Sequence, residues 1–170
     1  MATPPGTNVR GFLTDDEGEL LSALACEAGR LGPVLEIGSW CGRSTIWLAQ
    51  GAKLAGTVVL ALDHHRGSEE HQPGEMFFDA DLVDGEGRVD TLREFRRNIA
   101  QAGVEDTVIP IVAGTQQAQT ILPHTLGMVF IDGGHSLEAA LTDWRSVGHR
   151  VLPGGILAIH DVFPAASTGG

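Results

Sequence analysis

Five short apolar runs, at residues 34–37, 57–62, 108–112, 128–131 and 155–159, alternate with helical patterns and constrain this chain more than any other feature. The runs are nearly continuous in apolar residues instead of alternating apolar with polar, which is the signature of strands buried on both faces. Thr14 and Glu17 form a capping box that opens a first helix. Its expected inner face is Leu20, Leu21, Leu24, Ala28 and Leu31, and Gly32-Pro33 ends it. Further helices are expected over 44–54, around Val89, Leu92, Phe95 and Ile99 up to Gly103, over 116–122 and over 137–147. Strand and helix in alternation imply an α/β fold with a parallel five-strand core and helices on both faces. At 170 residues the chain has room for one such domain, spanning 1–170, with 1–12 as an N-terminal arm.

In open parallel sheets a ligand sits beyond the carboxyl ends of the strands. The least ordinary residues fall there: 38–42, 63–65, 114–115, 132–135 and 160–161. Gly38 permits a tight turn off the first strand, and Gly42 permits close approach of a ligand to the next helix. The spacing is GxxxG and not the GxGxxG of pyrophosphate-binding folds, which argues against a nicotinamide oxidoreductase. Glu36 before the turn would repel a pyrophosphate and suits a cationic amino-acid group. Asp63 ends the second strand, where an acid can accept both hydroxyls of a ribose.

Asp132 and Asp161 leave strands expected to be neighbours, and two hard oxygen ligands suit a magnesium-type ion that keeps exchangeable waters. His135, three residues after Asp132, is the candidate general base, able to take a hydroxyl proton whose pKa a metal has lowered. The plain alternative for His135 is a residue that orients the next helix, although Ser136 already serves as its N-cap.

Residues 64–86 break the rhythm and read as a lid over an acceptor site. They offer His64, His65, Arg66, Glu69, Glu70, His71, Gln72 and Glu75 to sugar hydroxyls and Phe77-Phe78 to a sugar face, with a solvated loop as the alternative. A zinc site on His64, His65 and His71 lacks any standard spacing. Trp47 and Trp144 read as core or interface, Arg93, Arg96 and Arg97 as a solvated helix face, and Cys41 has no nearby base in sequence.

The segments VLEIGSWCGRST, ALDHHRG, FIDGGHS and LPGGILAIHDV, with DHHRGSEEHQPGE, resemble class I S-adenosylmethionine-dependent methyltransferases of Rossmann-like fold. More narrowly they resemble the metal-dependent sugar O-methyltransferase branch related to the cephalosporin-hydroxylase and macrocin O-methyltransferase families. The resemblance covers residues 10–164. It implies that Glu36, Gly38, Ser39, Gly42 and Ser44 line the methionine part of the cofactor, that Asp63 holds the ribose with His64 beside it, and that Gly114 and Thr115 sit near the adenine. It also implies that Asp132 serves cofactor and metal together.

In that branch an acidic pair at the positions of 160–161 completes the metal site, whereas this chain has His160 before Asp161. That departure leaves three roles for His160: ligand, selector of a softer ion such as Mn2+, or orienter of its neighbours. The implied reaction is divalent-metal-assisted O-methylation of a sugar hydroxyl, at position 1 of a 3-O-methylated mannoside in methylmannose polysaccharide biosynthesis. A phenolic or other small hydroxylated acceptor, and a cofactor-binding protein without activity, remain as alternatives. The class continues past its fifth strand with a helix and an antiparallel pair, so the resemblance implies that the C-terminal end of the fold is missing here. The fifth strand would then be a sheet edge, which favours a homodimer.

The charge bears on partners. With 11 basic against 22 acidic residues, the net charge is -11, which argues against a nucleic-acid substrate. No apolar run suits a membrane span or a secretory signal, and two cysteines give no disulfide framework, so a cytoplasmic setting is expected.

Overall fold

Successive residues of the apolar runs go to opposite faces of one sheet, so each run feeds two cores. The computed structural model describes residues 6, 8–134 and 136–162. Its elements are α1 (Asp15–Ala28), β1 (Val34–Ile37), α2 (Arg43–Ala55), β2 (Val59–Asp63), α3 (Leu92–Gln101), β3 (Val108–Val112), α4 (Thr115–Ala118), β4 (Leu126–Ile131), α5 (Leu137–Val147) and β5 (Val151–Ile159). The strands are parallel throughout, in the order β3-β2-β1-β4-β5. Val34, Val59, Met128 and Phe130 join α1, α2 and α3 in one core, while Leu35, Leu60, Val129 and Ile131 join α4 and α5 in the other. The expected architecture of a Rossmann-like parallel sheet covered on both faces is the one observed. No helix among the described residues is long and apolar enough to cross a membrane.

The capping box at Thr14 and Glu17 forms as expected, with Thr14 N donating to Glu17 at 2.8 Å and Glu17 N donating to the Thr14 hydroxyl at 3.3 Å. The face that α1 buries differs from expectation. Gly18, Leu21, Ala25 and Ala28 are buried, whereas Leu20 is 58% and Leu31 46% exposed. The reason is close approach to α2: a Cβ at Gly18 would lie 2.4 Å from the Trp47 indole. A seam of small residues admits that large ring, and Leu20 turns outward while Leu21 and Leu24 stay against the core. Trp47 is accordingly core, and Trp144 is 47% exposed.

Other boundaries move too. Val89 precedes α3 and bridges Val83 in antiparallel fashion. The helix expected over 116–122 is shorter, and Leu122 beyond it is buried in the second core. β5 begins four residues early, at Val151, because a register shift opposite Leu126 and Met128 absorbs Pro153-Gly154-Gly155. β5 forms the outer edge of the sheet among the described residues.

Candidate functional site

The carboxyl ends of β1 and β4 are pressed together. Gly38 has φ +86°, and a Cβ there would lie 2.1 Å from the Asp132 carbonyl oxygen. Asp132 N in turn donates to the Ile37 carbonyl at 2.8 Å. Only glycine meets both the left-handed backbone and this contact. β4, with all six residues buried, anchors the turn that carries Asp132.

Asp63 braces the neighbouring turns. Its Oδ2 accepts from Ser39 N at 2.9 Å and Trp40 N at 2.8 Å, and its Oδ1 accepts from His65 N at 2.6 Å. Trp40 (φ +40°) and His65 (φ +57°) are non-glycine residues in left-handed backbone, a conformation that costs about 1–3 kcal/mol and needs support from its surroundings. A carboxylate has roughly four acceptor positions, and three N–H groups already use this one.

Glu36 lies beneath the turn, fully buried. Its Oε2 accepts from the Thr45 hydroxyl, and its Oε1 meets no donor at hydrogen-bonding geometry among the described residues. Burial pushes the carboxyl up to about 7, against the pull of the nearby Ser44, Thr45 and Ser39 hydroxyls. A carboxyl with a raised folded pKa destabilises the fold increasingly as pH rises from its unfolded value through the folded one. Glu36→Gln should therefore match the wild type near pH 4.5 and exceed it by about 3 kcal/mol above pH 7. Urea unfolding of the unliganded proteins across that range checks this, and a constant difference would contradict it.

The other expected cofactor residues divide. Ser39 and Ser44 are buried and line the cleft with Gly38, and Gly114 and Thr115 line it from the end of β3. Gly114 N donates to Gln117 Oε1 at 3.1 Å at the start of α4. Gly42 caps α2 with φ +91°, and a Cβ there would meet Phe95 at 3.1 Å. Its lack of a side chain serves helix packing. His64 is exposed, with Nδ1 4.0 Å from Asp63 Oδ1. His65 is a core imidazole, 2.8 Å from the Thr91 hydroxyl and tilted against the Phe95 ring, and burial lowers its pKa. The sequence did not separate these two adjacent histidines.

Asp132, His160 and Asp161 come together at the ends of β4 and β5, each offering a ligand atom within 4.8 Å of the others. His160 Nδ1 stands 3.3 Å from Asp132 and 3.2 Å from Asp161. Asp132 above all, then Asp161, raises the His160 imidazole to about 9 although burial opposes this. Glu17 is a residue the sequence did not flag for this site. The same carboxylate that caps α1 lies 3.5 Å from His160 Nε2. Two carboxylates and an imidazole fit a divalent ion of the magnesium-to-manganese range, which would displace the imidazole proton on binding. His135 lies outside the described residues.

The arm and the lid meet over this rim. Arg43, at the start of α2, donates from Nε to the Leu13 carbonyl at 2.7 Å, from Nη1 to Val9 at 2.9 Å, and from Nη2 to Asp15 at 2.7 Å. Arg10 then pairs with Asp79 and Asp81 of the lid. Phe12 stacks on Trp40 with centroids 5.8 Å apart and meets Phe77 edge-on at 5.0 Å. His71 closes the tier, 5.5 Å from Trp40. Together with the strand ends these segments enclose a cleft of about 1150 Å³. Pockets for a single small ligand span about 300–1,000 Å³, and this cleft lies just above that range.

Residues 35–162 match the model of a family described as a methyltransferase domain. Among solved structures, cofactor-bound Rv0187 from MTB shares 25% identity at a TM-score of 0.64, over 88% of this chain and 57% of that one. An O-methyltransferase from Bacillus cereus in complex with SAH also shares 25% identity, at a TM-score of 0.59, over 86% of this chain and 56% of that one. The O-methyltransferase TomG from Streptomyces achromogenes, involved in tomaymycin synthesis and solved with SAM, shares the fold at 20% identity and a TM-score of 0.62, over 87% of this chain and 56% of that one. The chain thus spans little more than half the length of these structures.

Proposed function

This chain belongs to the methyltransferase-domain family, and from that premise we propose that it transfers a methyl group from S-adenosylmethionine to a hydroxyl of a small acceptor. The observation that carries the reading is the juxtaposition, in one cleft, of the Gly38–Ser44 turn with the Asp132, His160 and Asp161 cluster. Glu36 and the turn serines take the amino-acid end of the cofactor, and Asp63 holds the turn against the ribose. Glu36 Oε1, buried and without a donor, suits a nearby ammonium. A divalent ion held by Asp132, His160 and Asp161 would lower the pKa of an acceptor hydroxyl bound to it.

The acceptor oxygen displaces the methyl from the sulfonium, its proton passes to a base, and the products are a methyl ether and S-adenosylhomocysteine. His135 is the base we assign from its position in the sequence. The acceptor in this reading is a sugar, such as position 1 of a 3-O-methylated mannoside. One sugar face would lie against Phe12, Trp40 and Phe77, and hydroxyls would meet Glu69, Glu70 and His71. The same rings favour a second reading, a phenolic acceptor, because a planar ring stacks there equally well. Mg2+ or Mn2+, a cytoplasmic setting in which Cys26 and Cys41 stay free, and a homodimer complete the proposal.

Calorimetric titration with S-adenosylhomocysteine, with and without Mg2+ or Mn2+, tests the cofactor. Transfer of labelled methyl to a panel of mannosides and catechols tests the acceptor. Micromolar binding and labelled mannoside are expected. A folded protein that binds no S-adenosylhomocysteine sinks the proposal, and labelled catechol alone selects the second acceptor.

A further inference from the structure

Glu17 caps α1 with one oxygen of its carboxylate and turns the other toward β5. Oε2 accepts from Thr14 N and from the Thr14 hydroxyl, each at 2.8 Å, while Oε1 lies 3.5 Å from His160 Nε2. The cap therefore decides which way Oε1 faces. Arg43 anchors the same helix end through the Leu13 carbonyl and Asp15, so this carboxylate stands on a fixed support. Across the gap, His160 N donates to the Ile131 carbonyl at 3.0 Å, and the His160 ring meets Phe130 edge-on with centroids 6.3 Å apart. Neither ring nitrogen reaches a partner at hydrogen-bonding geometry among the described residues. The imidazole thus has carboxylates on both sides and no bond that settles its orientation.

The two nitrogens face different surroundings. Nδ1 looks on Asp132 at 3.3 Å and Asp161 at 3.2 Å, and it is the atom available to an ion shared with them. An imidazole that ligates through Nδ1 keeps its one hydrogen on Nε2, and Glu17 is the carboxylate at that atom. We propose that Glu17 is a positioning residue for the divalent ion: Oε1 accepts the Nε2 hydrogen of His160, fixes the tautomer and turns Nδ1 toward the ion beside Asp132 and Asp161. The inference rests on the divalent-ion reading of the cluster. A carboxylate behind a ligating imidazole raises its basicity as well as fixing its plane. The first helix supplies no ligand itself, yet in this way it sets the third one. An acidic residue at position 160 would instead be repelled by Glu17, so the histidine and this carboxylate belong together.

Mn2+ binding to the full chain at neutral pH, followed by electron paramagnetic resonance without cofactor, tests this independently of turnover. Glu17→Ala should weaken Mn2+ by about tenfold, the lower end of the range for such outer partners, because the Glu17 side chain is 47% exposed. Thr14→Ala removes the hydroxyl of the same cap and leaves Oε1 near His160. It should lower the urea midpoint as Glu17→Ala does, yet keep the wild-type Mn2+ affinity. His160→Asp keeps three ligands and removes the imidazole. In that background Glu17→Ala should not weaken Mn2+, because no Nε2 hydrogen is left to hold. Equal weakening with and without the imidazole would make Glu17 a distant charge, and equal weakening by Thr14→Ala would make it a cap alone. Either result, or unchanged affinity in a folded Glu17→Ala, overturns the inference and leaves the ion site intact. A wild type that binds no Mn2+ refutes the divalent-ion reading and this inference with it.

Discussion

Asp63→Ala is expected to lose S-adenosylhomocysteine binding by more than about 100-fold and about 4 kcal/mol of stability together, since each hydrogen bond to a charged group contributes about 1.5–3 kcal/mol. Ser39 N, Trp40 N and His65 N all lose their acceptor at once. Trp40 and His65 then keep left-handed backbone without the carboxylate that braces it. Asp63→Asn should behave similarly, because its amide turns a donor toward backbone donors. Chemical denaturation and calorimetry on the same preparations check both effects. A variant of wild-type stability would show that the brace is dispensable. Loss of binding in Asp63→Ala cannot by itself identify a ribose contact, because the turn that cradles the cofactor depends on the same carboxylate. The ribose contact is read on the wild type instead, as about tenfold weaker binding of a 2′-deoxy cofactor analogue, the worth of roughly one hydrogen bond.

Asp132→Asn should act on the other half of the cleft. Its backbone contacts, Asp132 N to Ile37 and its carbonyl against Gly38, do not involve the carboxylate. The turn should therefore persist, while His160 loses the partner that most raises its pKa. Methyl transfer should fall by about 1,000-fold, since a metal supplies several kcal/mol at the transition state and each 1.36 kcal/mol is tenfold in rate. Mn2+ binding followed by electron paramagnetic resonance should disappear in the same variant. Full activity with no dependence on added Mg2+ or Mn2+ would remove metal assistance from the proposal and leave the cluster as a set of charges around His160.

The strands were legible as uninterrupted apolar runs, and 34–37 and 108–112 have their expected limits, although burial on both faces holds for β1 and β4 and not for β3, where Ile109 and Val112 are exposed. The inner face of α1 was legible only in part, because hydrophobic periodicity gives weight to the exposed Leu20 and Leu31 and none to Gly18, whose lack of bulk admits Trp47. Strand ends were good predictors of position: Gly38, Ser39, Ser44, Gly114, Thr115, Asp132, His160 and Asp161 all border one cleft. What each group touches was less legible. Gly42 answers to Phe95, and Glu17 serves α1 and His160 together, contacts between elements far apart in the chain. His64 is exposed and His65, in left-handed backbone, is buried against Thr91 and Phe95, a distinction that a two-letter motif does not carry.

The shortest strand, β1, occupies the middle of the sheet and takes one partner from nearby β2 and the other from distant β4. Loop closure costs free energy only as the logarithm of loop length, so the distant pairing weakens the fold by little more than about 1 kcal/mol relative to the near one. Its effect falls on the rate, because non-local pairings dominate the folding time of parallel sheets. A nascent chain can form β1, α2 and β2 early, yet the turn at Gly38 has nothing to rest on until β4 arrives. The cleft is thus among the last parts of the molecule to exist, and recovery of ligand binding during refolding should lag behind the return of helical signal.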